Sequence, residues 1–107
     1  MAFDFTFERL DVYRLAVDVA RWMRRTSWPR GTAHLKDQGT RAADSTVLNV
    51  AEGHSRGGKP GRNHYTIAQG SAGEALAVLD VVGLPGGAEQ QQKLRRVAAM
   101  LEKMKAR

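Results

Sequence analysis

The segment from Gln38 to Gly53 constrains the fold more than any other part of the chain. At helical spacing, one face of this segment carries small and hydrogen-bonding side chains where a bundle core would normally be apolar. The residues of this face are Leu35, Gln38, Ala42, Ser45, Asn49 and Glu52. Buried polar groups without partners cost about 1–3 kcal/mol each, so a neighbouring helix must supply matching groups. We therefore expect this helix to lie centrally, close to a partner helix.

The apolar pattern of the whole chain predicts an all-α protein. Apolar residues recur at intervals of three and four over about residues 8–27, 33–54, 62–83 and 88–105, which predicts four helices in a single domain spanning residues 1–107. Pro29 and Gly31 separate the first two helices, and Leu84-Pro85-Gly86-Gly87 separates the last two. Thr32 is the expected N-cap of the second helix, and residues 55–58 are expected to form a flexible loop. Phe3, Phe5 and Phe7 are expected to fold back as a hydrophobic strap.

The third predicted helix has more apolar surface than one bundle core can cover. One stripe follows the core spacing, and a second apolar stripe runs beside it through Ile67, Val78 and Val81. The extra surface indicates contact with other copies of the chain. Gly70 and Gly73 each cost up to about 1 kcal/mol inside a helix, so we expect a close backbone approach at these positions.

Positive charge is concentrated in two parts of the chain. The net charge is +6. The excess of positive charge lies in residues 29–64 and in the last fifteen residues, which contain six lysines and arginines. The segment 65–92 between them has none. Such a distribution favours polyanionic partners, although it is also compatible with a role in solubility alone. The candidate nucleic-acid-binding residues are Arg56, Lys59, Arg62, Lys93, Arg95, Arg96, Lys103 and Lys105. Phosphate contact requires positive charge without a fixed spacing, so any binding should tolerate sequence variation and depend on salt.

The middle helices also contain polar residues that could be structural or functional. We expect a hydrogen-bonded network that sets the helix register, composed of Gln38, Arg41, Ser45, Asn49, Glu52, Ser71 and Glu74. In the alternative interpretation, Glu52 and Glu74 hold a metal or act as an acid–base pair. A di-metal bundle normally uses Glu-x-x-His, which does not occur here. His34, His54 and His64 fall near predicted helix ends and are expected to be exposed.

Several classes of protein are disfavoured by the sequence. No cysteine is present, which removes disulfides and thiolate chemistry. The first residues resemble no signal peptide, and no apolar run approaches the roughly 20 residues that span a bilayer, so we expect a cytoplasmic protein without a membrane segment. Gly53 to Lys59 matches the spacing of a phosphate-binding loop, but Pro60 replaces the required Ser or Thr and no strand precedes it. We expect no cofactor, no metal and no small-molecule substrate.

Two motifs in this order resemble a known bacterial family. The first motif has two parts, Arg41 to Ser45 and, after three further residues, Asn49-Val50-Ala51-Glu52-Gly53. The second motif is Ile67-Ala68-Gln69-Gly70-Ser71-Ala72-Gly73-Glu74. They resemble the four-helix-bundle proteins encoded in intervening sequences of 23S rRNA genes, which are related to the accessory protein of diversity-generating retroelements. The resemblance covers nearly the whole chain. It implies an antiparallel up-down-up-down bundle that assembles into a homopentameric ring, with a basic surface that contacts nucleic acid.

Three functional hypotheses follow from these observations. The first is a non-enzymatic, oligomeric basic bundle that binds RNA, DNA or a nucleic-acid enzyme. The second is a homo-oligomeric assembly module with a protein partner, in which the basic face serves solubility or docks an acidic protein. The third, which we rank lowest, is a metal-dependent bundle enzyme that uses Glu52 and Glu74.

Overall fold

The computed structural model describes residues 2–107, and these residues form four α-helices and no strand. The helices are α1 (Asp11–Arg25), α2 (Ala33–Arg56), α3 (Gly58–Val82) and α4 (Gly87–Lys105), and a short 3₁₀ helix, Thr6–Arg9, precedes α1. The predicted all-α class is confirmed. Met1 of the predicted domain lies outside the described residues.

The four helices pack as a bundle in which each helix contacts two others. The helix α2 packs against α1 and α3, and α4 packs against α3 and α1. Aliphatic residues fill the interior, and the largest of the fully buried side chains are Met23, Leu94, Leu101, Val19, Val50 and Val97. Burial of each such side chain contributes about 1.5–3 kcal/mol relative to exposure.

The pair α2 and α3 forms the most extensive contact in the molecule. The two helices meet where Gly53 faces Gly61, so closely that a side chain on Gly61 would collide with the carbonyl oxygen of Gly53. A Cβ atom on Gly53 would lie 2.6 Å from the ring of Tyr65. Close packing of α2 on a partner helix is therefore achieved by glycines that face each other.

Several helix boundaries and one expected cap differ from the sequence prediction. The first helix begins at Asp11 rather than near residue 8, because Leu10 is extended and separates it from the 3₁₀ turn. Thr32 precedes α2 as expected, but its hydroxyl donates to the Pro29 carbonyl at 2.5 Å instead of capping the helix. The expected flexible loop at residues 55–58 is wrong, because only Gly57 separates α2 from α3. Gly57 has φ 67° and ψ 177°, a conformation essentially restricted to glycine.

The expected close approach at Gly70 and Gly73 is not made within this chain. Both glycines lie on the exposed side of α3, and a Cβ atom added to either would meet nothing within 4 Å. The same side of α3 exposes 51% of Ile67 and 72% of Val81. We define the outer face of α3 by residues 67, 70, 74, 77 and 81, which share one side of the helix at helical spacing.

The N-terminal phenylalanines form an aromatic ladder that is only partly attached to the bundle. The Phe7 ring packs edge-on against Tyr13 with centroids 4.9 Å apart, whereas Phe3 and Phe5 remain 79% and 50% exposed. A hydrogen bond of 3.0 Å between Thr6 and His54 ties the segment to α2. Within residues 2–107, no helix is long and apolar enough to cross a membrane.

Candidate nucleic-acid interface

The helix α4 presents a row of basic side chains beside α1. Residues 93, 96, 100, 103 and 107 recur at three- and four-residue intervals and therefore share one side of α4. Within the described chain, no carboxylate lies within 4.0 Å of the charged nitrogens of Lys93, Arg96 or Lys103. These three cations are consequently available for an external anion. We call the row Lys93, Arg96, Lys103 and Arg107 the basic row.

Two grooves lie between α1 and α4, and the first of them extends the basic row onto α1. The first groove has a volume of about 330 Å³, and Lys93 lines it together with Arg21 and Arg25 of α1. Asp18 is the single acidic residue in its lining, so the local charge is positive. The second groove, of about 200 Å³, places Lys103 and Arg107 beside apolar residues of both helices and beside Asp11. Cations of both helices therefore lie together at the first groove, whereas at the second groove α1 contributes Asp11 and no lysine or arginine.

Two of the predicted α4 residues do not belong to this surface. Arg95 is exposed, but helical spacing places it on the side of α4 that carries Gln91 and Glu102. Lys105 is half-buried, and its ammonium group donates to the Gln69 side chain at 2.9 Å and lies 3.5 Å from Glu102. Lys105 therefore joins α4 to α3 rather than facing an external partner.

The remaining predicted cations lie on helices around the single-residue turn at Gly57, not on a loop. Arg56 ends α2, and its guanidinium contacts the Glu52 carboxylate at 2.6 Å. This contact holds the pKa of Glu52 below its ordinary value. Lys59 and Arg62 lie in the first turns of α3, where both are exposed. Arg62 also lines a pocket with Arg107, which connects this region to the end of the basic row.

Tyr65 lies in the same pocket and has an unusual environment. Only 7% of its surface is exposed, and its pKa is raised by burial and lowered in part by the charge of Arg107. Arg107 lines the same pocket as Tyr65. Helical spacing alone puts Tyr65 on the core-facing stripe of α3, where the structure packs it in a cluster with Val50 and Leu101.

Three members of the predicted polar network come together between α2 and α3. The Ser45 and Ser71 hydroxyls are 2.8 Å apart, and the Asn49 amide donates to the Ser45 carbonyl and hydroxyl at 2.9 and 3.2 Å. His64 extends this series of hydrogen bonds, because its Nδ1 lies 2.8 Å from the Asn49 side-chain oxygen. The expectation of exposure is wrong for His64, which is half-buried in this contact, and for His54, which is half-buried near the end of α2; His34 is exposed as expected.

The other four members lie outside this chain of hydrogen bonds. Gln38, Arg41 and Glu74 line an open groove with His34 and Asp37. Arg41 pairs with Asp37 one turn earlier on α2, so its charge is satisfied within its own helix. All three side chains are exposed, and the fourth member, Glu52, pairs with Arg56.

The two carboxylates of the metal hypothesis occupy different parts of the molecule. Glu52 pairs with Arg56 near the end of α2, whereas Glu74 lines the groove near the beginning of α2. Within residues 2–107, no group of three or more histidine, aspartate or glutamate side chains is placed to hold a metal. Glu52 and Glu74 thus do not form a shared site.

Comparison with known proteins identifies one family. Residues 8–105 match the family model described as 23S rRNA-intervening sequence protein. This range includes all four helices. No curated protein matches the chain.

Proposed function

We propose that this chain, which belongs to the 23S rRNA-intervening sequence protein family, is a non-enzymatic, oligomeric bundle that binds RNA or DNA through its basic row. The observation that carries the proposal is that Lys93, Arg96 and Lys103 share one side of α4 without an ion pair, at one end of which Lys93 lines a groove with Arg21 and Arg25 of α1. Unpaired cations at this density favour phosphate contacts, each of which releases condensed counterions.

The proposed assembly is a ring of antiparallel bundles. Contacts between α2 and α3 run in opposite order along the two helices, from Ser45–Ser71 through Asn49–His64 to Gly53–Gly61, which supports the up-down arrangement. The outer face of α3 supports assembly, because it exposes apolar residues without a partner in the chain. A pentamer, the number implied by the family resemblance, would carry a net charge of +30. Repetition would strengthen the field of each basic row.

The nucleic-acid proposal is tested by titrating a structured RNA and a DNA duplex at about 50 mM salt, where phosphate contacts are strong. The double variant Lys93→Gln/Arg96→Gln should weaken binding and reduce the slope of log K against log salt by about 1–2, since each phosphate contact contributes roughly 0.9. Fluorescence anisotropy over a series of salt concentrations measures both quantities.

The matched control is Arg30→Gln/Arg95→Gln, which removes the same charge from exposed positions outside the basic row. This control should retain most of the affinity and the salt slope. Equal losses in the two double variants would show that net charge, not the basic row, determines binding. Absence of binding to both nucleic acids would reject the proposed function.

The exposed outer face of α3 favours a second candidate, an assembly module with a protein partner. Under this alternative the oligomer forms, but nucleic acid does not bind at low salt. An acidic protein would then be the expected ligand of the basic row, because charge complementarity steers association. Measuring oligomeric mass and nucleic-acid affinity on the same preparation separates the two candidates.

A further inference from the structure

The first groove between α1 and α4 is lined by a buried polar side chain that the bundle leaves without a partner. Among residues 2–107, two buried side-chain oxygens form no hydrogen bond, Oγ1 of Thr40 and Oε1 of Gln90. Gln90 lines the groove and is only 4% exposed, whereas Thr40 does not line it. The large majority of buried side-chain polar atoms have a hydrogen-bond partner. The Gln90 oxygen therefore points to a donor from outside the bundle.

Three cations give the same groove an excess of positive charge. Arg21 and Arg25 line it from α1, and Lys93 lines it from α4. Asp18 is the one carboxylate in the lining. Among the described residues, no carboxylate lies within 4.0 Å of the charged nitrogens of these three cations. They are available for an anion, and arginine binds phosphate through charge-assisted hydrogen bonds of matching geometry.

An indole ring forms an apolar wall of the groove. Trp22 lines the groove and is half-buried, because its side chain also packs against the core cluster that contains Met23 and Leu94. Its ring lies against the turn before α4, where a Cβ atom on Gly86 would be 3.4 Å away. Contacts with the core and with this turn hold the indole in place. An aromatic ring beside cations suits a planar, unsaturated ligand group.

These features together require a ligand that carries both negative charge and a hydrogen-bond donor. A phosphodiester has acceptor oxygens and no N–H or O–H group, so by itself it satisfies the cations but not the Gln90 oxygen. A nucleobase supplies a planar ring with donors on its edges. The Watson–Crick donors are already paired in a duplex, whereas an unpaired base can be splayed out and bonded on that edge. The groove therefore favours a nucleotide from a single-stranded segment.

We propose that the first groove is a subsite for one unpaired nucleotide, in which the three cations hold its phosphate and its base, beside Trp22, donates a hydrogen bond to the Gln90 side-chain oxygen. The inference deepens the proposed function and rests on it for the source of the nucleotide, a nucleic acid. The groove volume of about 330 Å³ falls within the range of small-ligand sites, roughly 300–1,000 Å³. The torsion that orients a carboxamide has a broad energy minimum, so the oxygen turns toward a base that enters the groove.

Gln90→Met tests the contact with the base, because it replaces the carboxamide with an apolar group of similar length. The variant should lower the ratio of single-strand to duplex affinity about threefold to tenfold, the effect of one hydrogen bond. It should unfold at or above the temperature of the parent, since the oxygen that it removes has no protein partner. Fluorescence anisotropy with an unstructured RNA strand and with a duplex of the same sequence gives the ratio, and circular dichroism gives the unfolding temperature.

Gln92→Met is the matched control, since it makes the same change on the same helix at an exposed position outside the groove. It should keep the affinity ratio of the parent. An unchanged ratio in folded Gln90→Met overturns the subsite, as does an equal loss of affinity for strand and duplex. An unchanged ratio together with a lower unfolding temperature would identify Gln90 as a structural residue.

Single nucleotides give a direct measurement on the parent protein, without any substitution. The isotopically labelled full chain is titrated with each of the four ribonucleoside 5′-monophosphates and with ribose 5-phosphate, all at constant ionic strength. At least one nucleotide should shift the side-chain amide resonances of Gln90 and the indole N–H resonance of Trp22 to saturation. Ribose 5-phosphate, which has no base, should leave the Gln90 resonances in place. Equal shifts with ribose 5-phosphate would reveal an anion site without base recognition and overturn the proposal.

The same measurements separate the subsite from the proposed function. If strand and duplex bind but the Gln90 resonances do not move, the subsite fails and the basic row alone carries the function. If nucleotides saturate the groove but neither strand nor duplex binds, the nucleic-acid function fails while the subsite stands, with a free nucleotide as its ligand. If polyglutamate shifts the Gln90 resonances and the nucleotides do not, the groove belongs to an acidic protein and the nucleotide assignment is wrong.

Discussion

At the scale of single residues, glycines on the same helix have opposite roles. Gly61 lies against the Gly53 carbonyl of α2, whereas Gly70 faces open space. Sequence alone marked Gly70 and Gly73 as sites of close approach, because both interrupt an apolar helix. Which glycine contacts a neighbouring helix depends on how α3 is rotated about its own axis, and packing sets that rotation.

Alanine at Gly61 should destabilise the fold. The added methyl group collides with backbone, which cannot move aside as a flexible side chain can. We expect Gly61→Ala to lower the free energy of unfolding by about 1–3 kcal/mol through overpacking, despite alanine's better helix propensity. Urea denaturation followed by circular dichroism measures the change.

Gly70→Ala is the control on the same helix. Its methyl group meets no atom within 4 Å, so the gain in helix propensity should raise the free energy of unfolding by about 0.5–1 kcal/mol. Equal effects at the two positions would contradict the close contact between α2 and α3.

The hydrogen bonds between α2 and α3 show how far the helical spacing of residues in the sequence predicts their partners. Ser45, Asn49 and Ser71 were expected to meet because all three lie on the small-residue faces of the middle helices. His64 was not expected there, since its place near a predicted helix end suggested exposure. The helix α3 begins four residues earlier than predicted, which moves His64 into the second turn and against Asn49.

At the scale of helices, α3 and α4 are joined by a cluster around Gln69. Its amide donates at 3.0 Å both to the Ala98 carbonyl and to the Glu102 carboxylate, and its oxygen accepts from Lys105. The hydrogen bond from Gln69, followed by the charge of Lys105, holds the pKa of Glu102 below its ordinary value. Glu102 is exposed, so this contribution to stability is screened by solvent.

This cluster predicts a loss of stability in acid. A carboxyl whose pKa is lower in the folded state stabilises the fold above its unfolded pKa, and that stability is lost as pH falls through the folded pKa. Glu102→Gln should therefore show a smaller decrease in the free energy of unfolding than the parent between pH 7 and about pH 3. Glu74→Gln, an exposed carboxyl without an ion pair, is the control and should follow the parent. Parallel pH dependences in the parent and Glu102→Gln would show that the cluster contributes nothing.

The connection between α2 and α3 was the least predictable element. The glycines around it resemble a flexible loop in sequence, but only Gly57 lies outside the helices. Contacts between the two helices extend to this turn, where Gly53 meets Gly61, and they hold both helices ordered up to it. The basic residues Arg56, Lys59 and Arg62 are thereby held on helical backbone, and Arg62 lines a pocket with Arg107.

At the scale of the whole molecule, the basic and apolar surfaces are on different helices. The basic row lies on α4 beside α1, whereas the outer face of α3 exposes Ile67 and Val81 and carries no cation. A molecule arranged in this way can assemble through α3 and leave α4 and α1 free to bind a polyanion. This separation is the physical basis for combining assembly and nucleic-acid binding in one proposal.

The proposed assembly predicts that Val81→Lys will produce single chains. A charged side chain in an apolar interface loses its hydration without gaining a partner, so the oligomer should dissociate while the helix content stays that of the parent. Sedimentation velocity gives the mass and circular dichroism gives the helix content. Gln92→Lys, which adds the same charge at an exposed position of α4, is the control and should keep the parent's mass. A single-chain mass for the parent protein would reject the assembly itself.

The sequence alone determined the helical class, the four apolar stripes, the excess of positive charge and the small-residue faces of the middle helices. These properties follow from local composition and from the helical period, which one chain segment carries by itself. Only the tertiary structure decided that Lys105 bonds to Gln69 of α3, that His64 joins Asn49, and that Tyr65 lines a pocket with Arg62 and Arg107. These are relations between segments distant in sequence, and the axial rotation and separation of packed helices determine them.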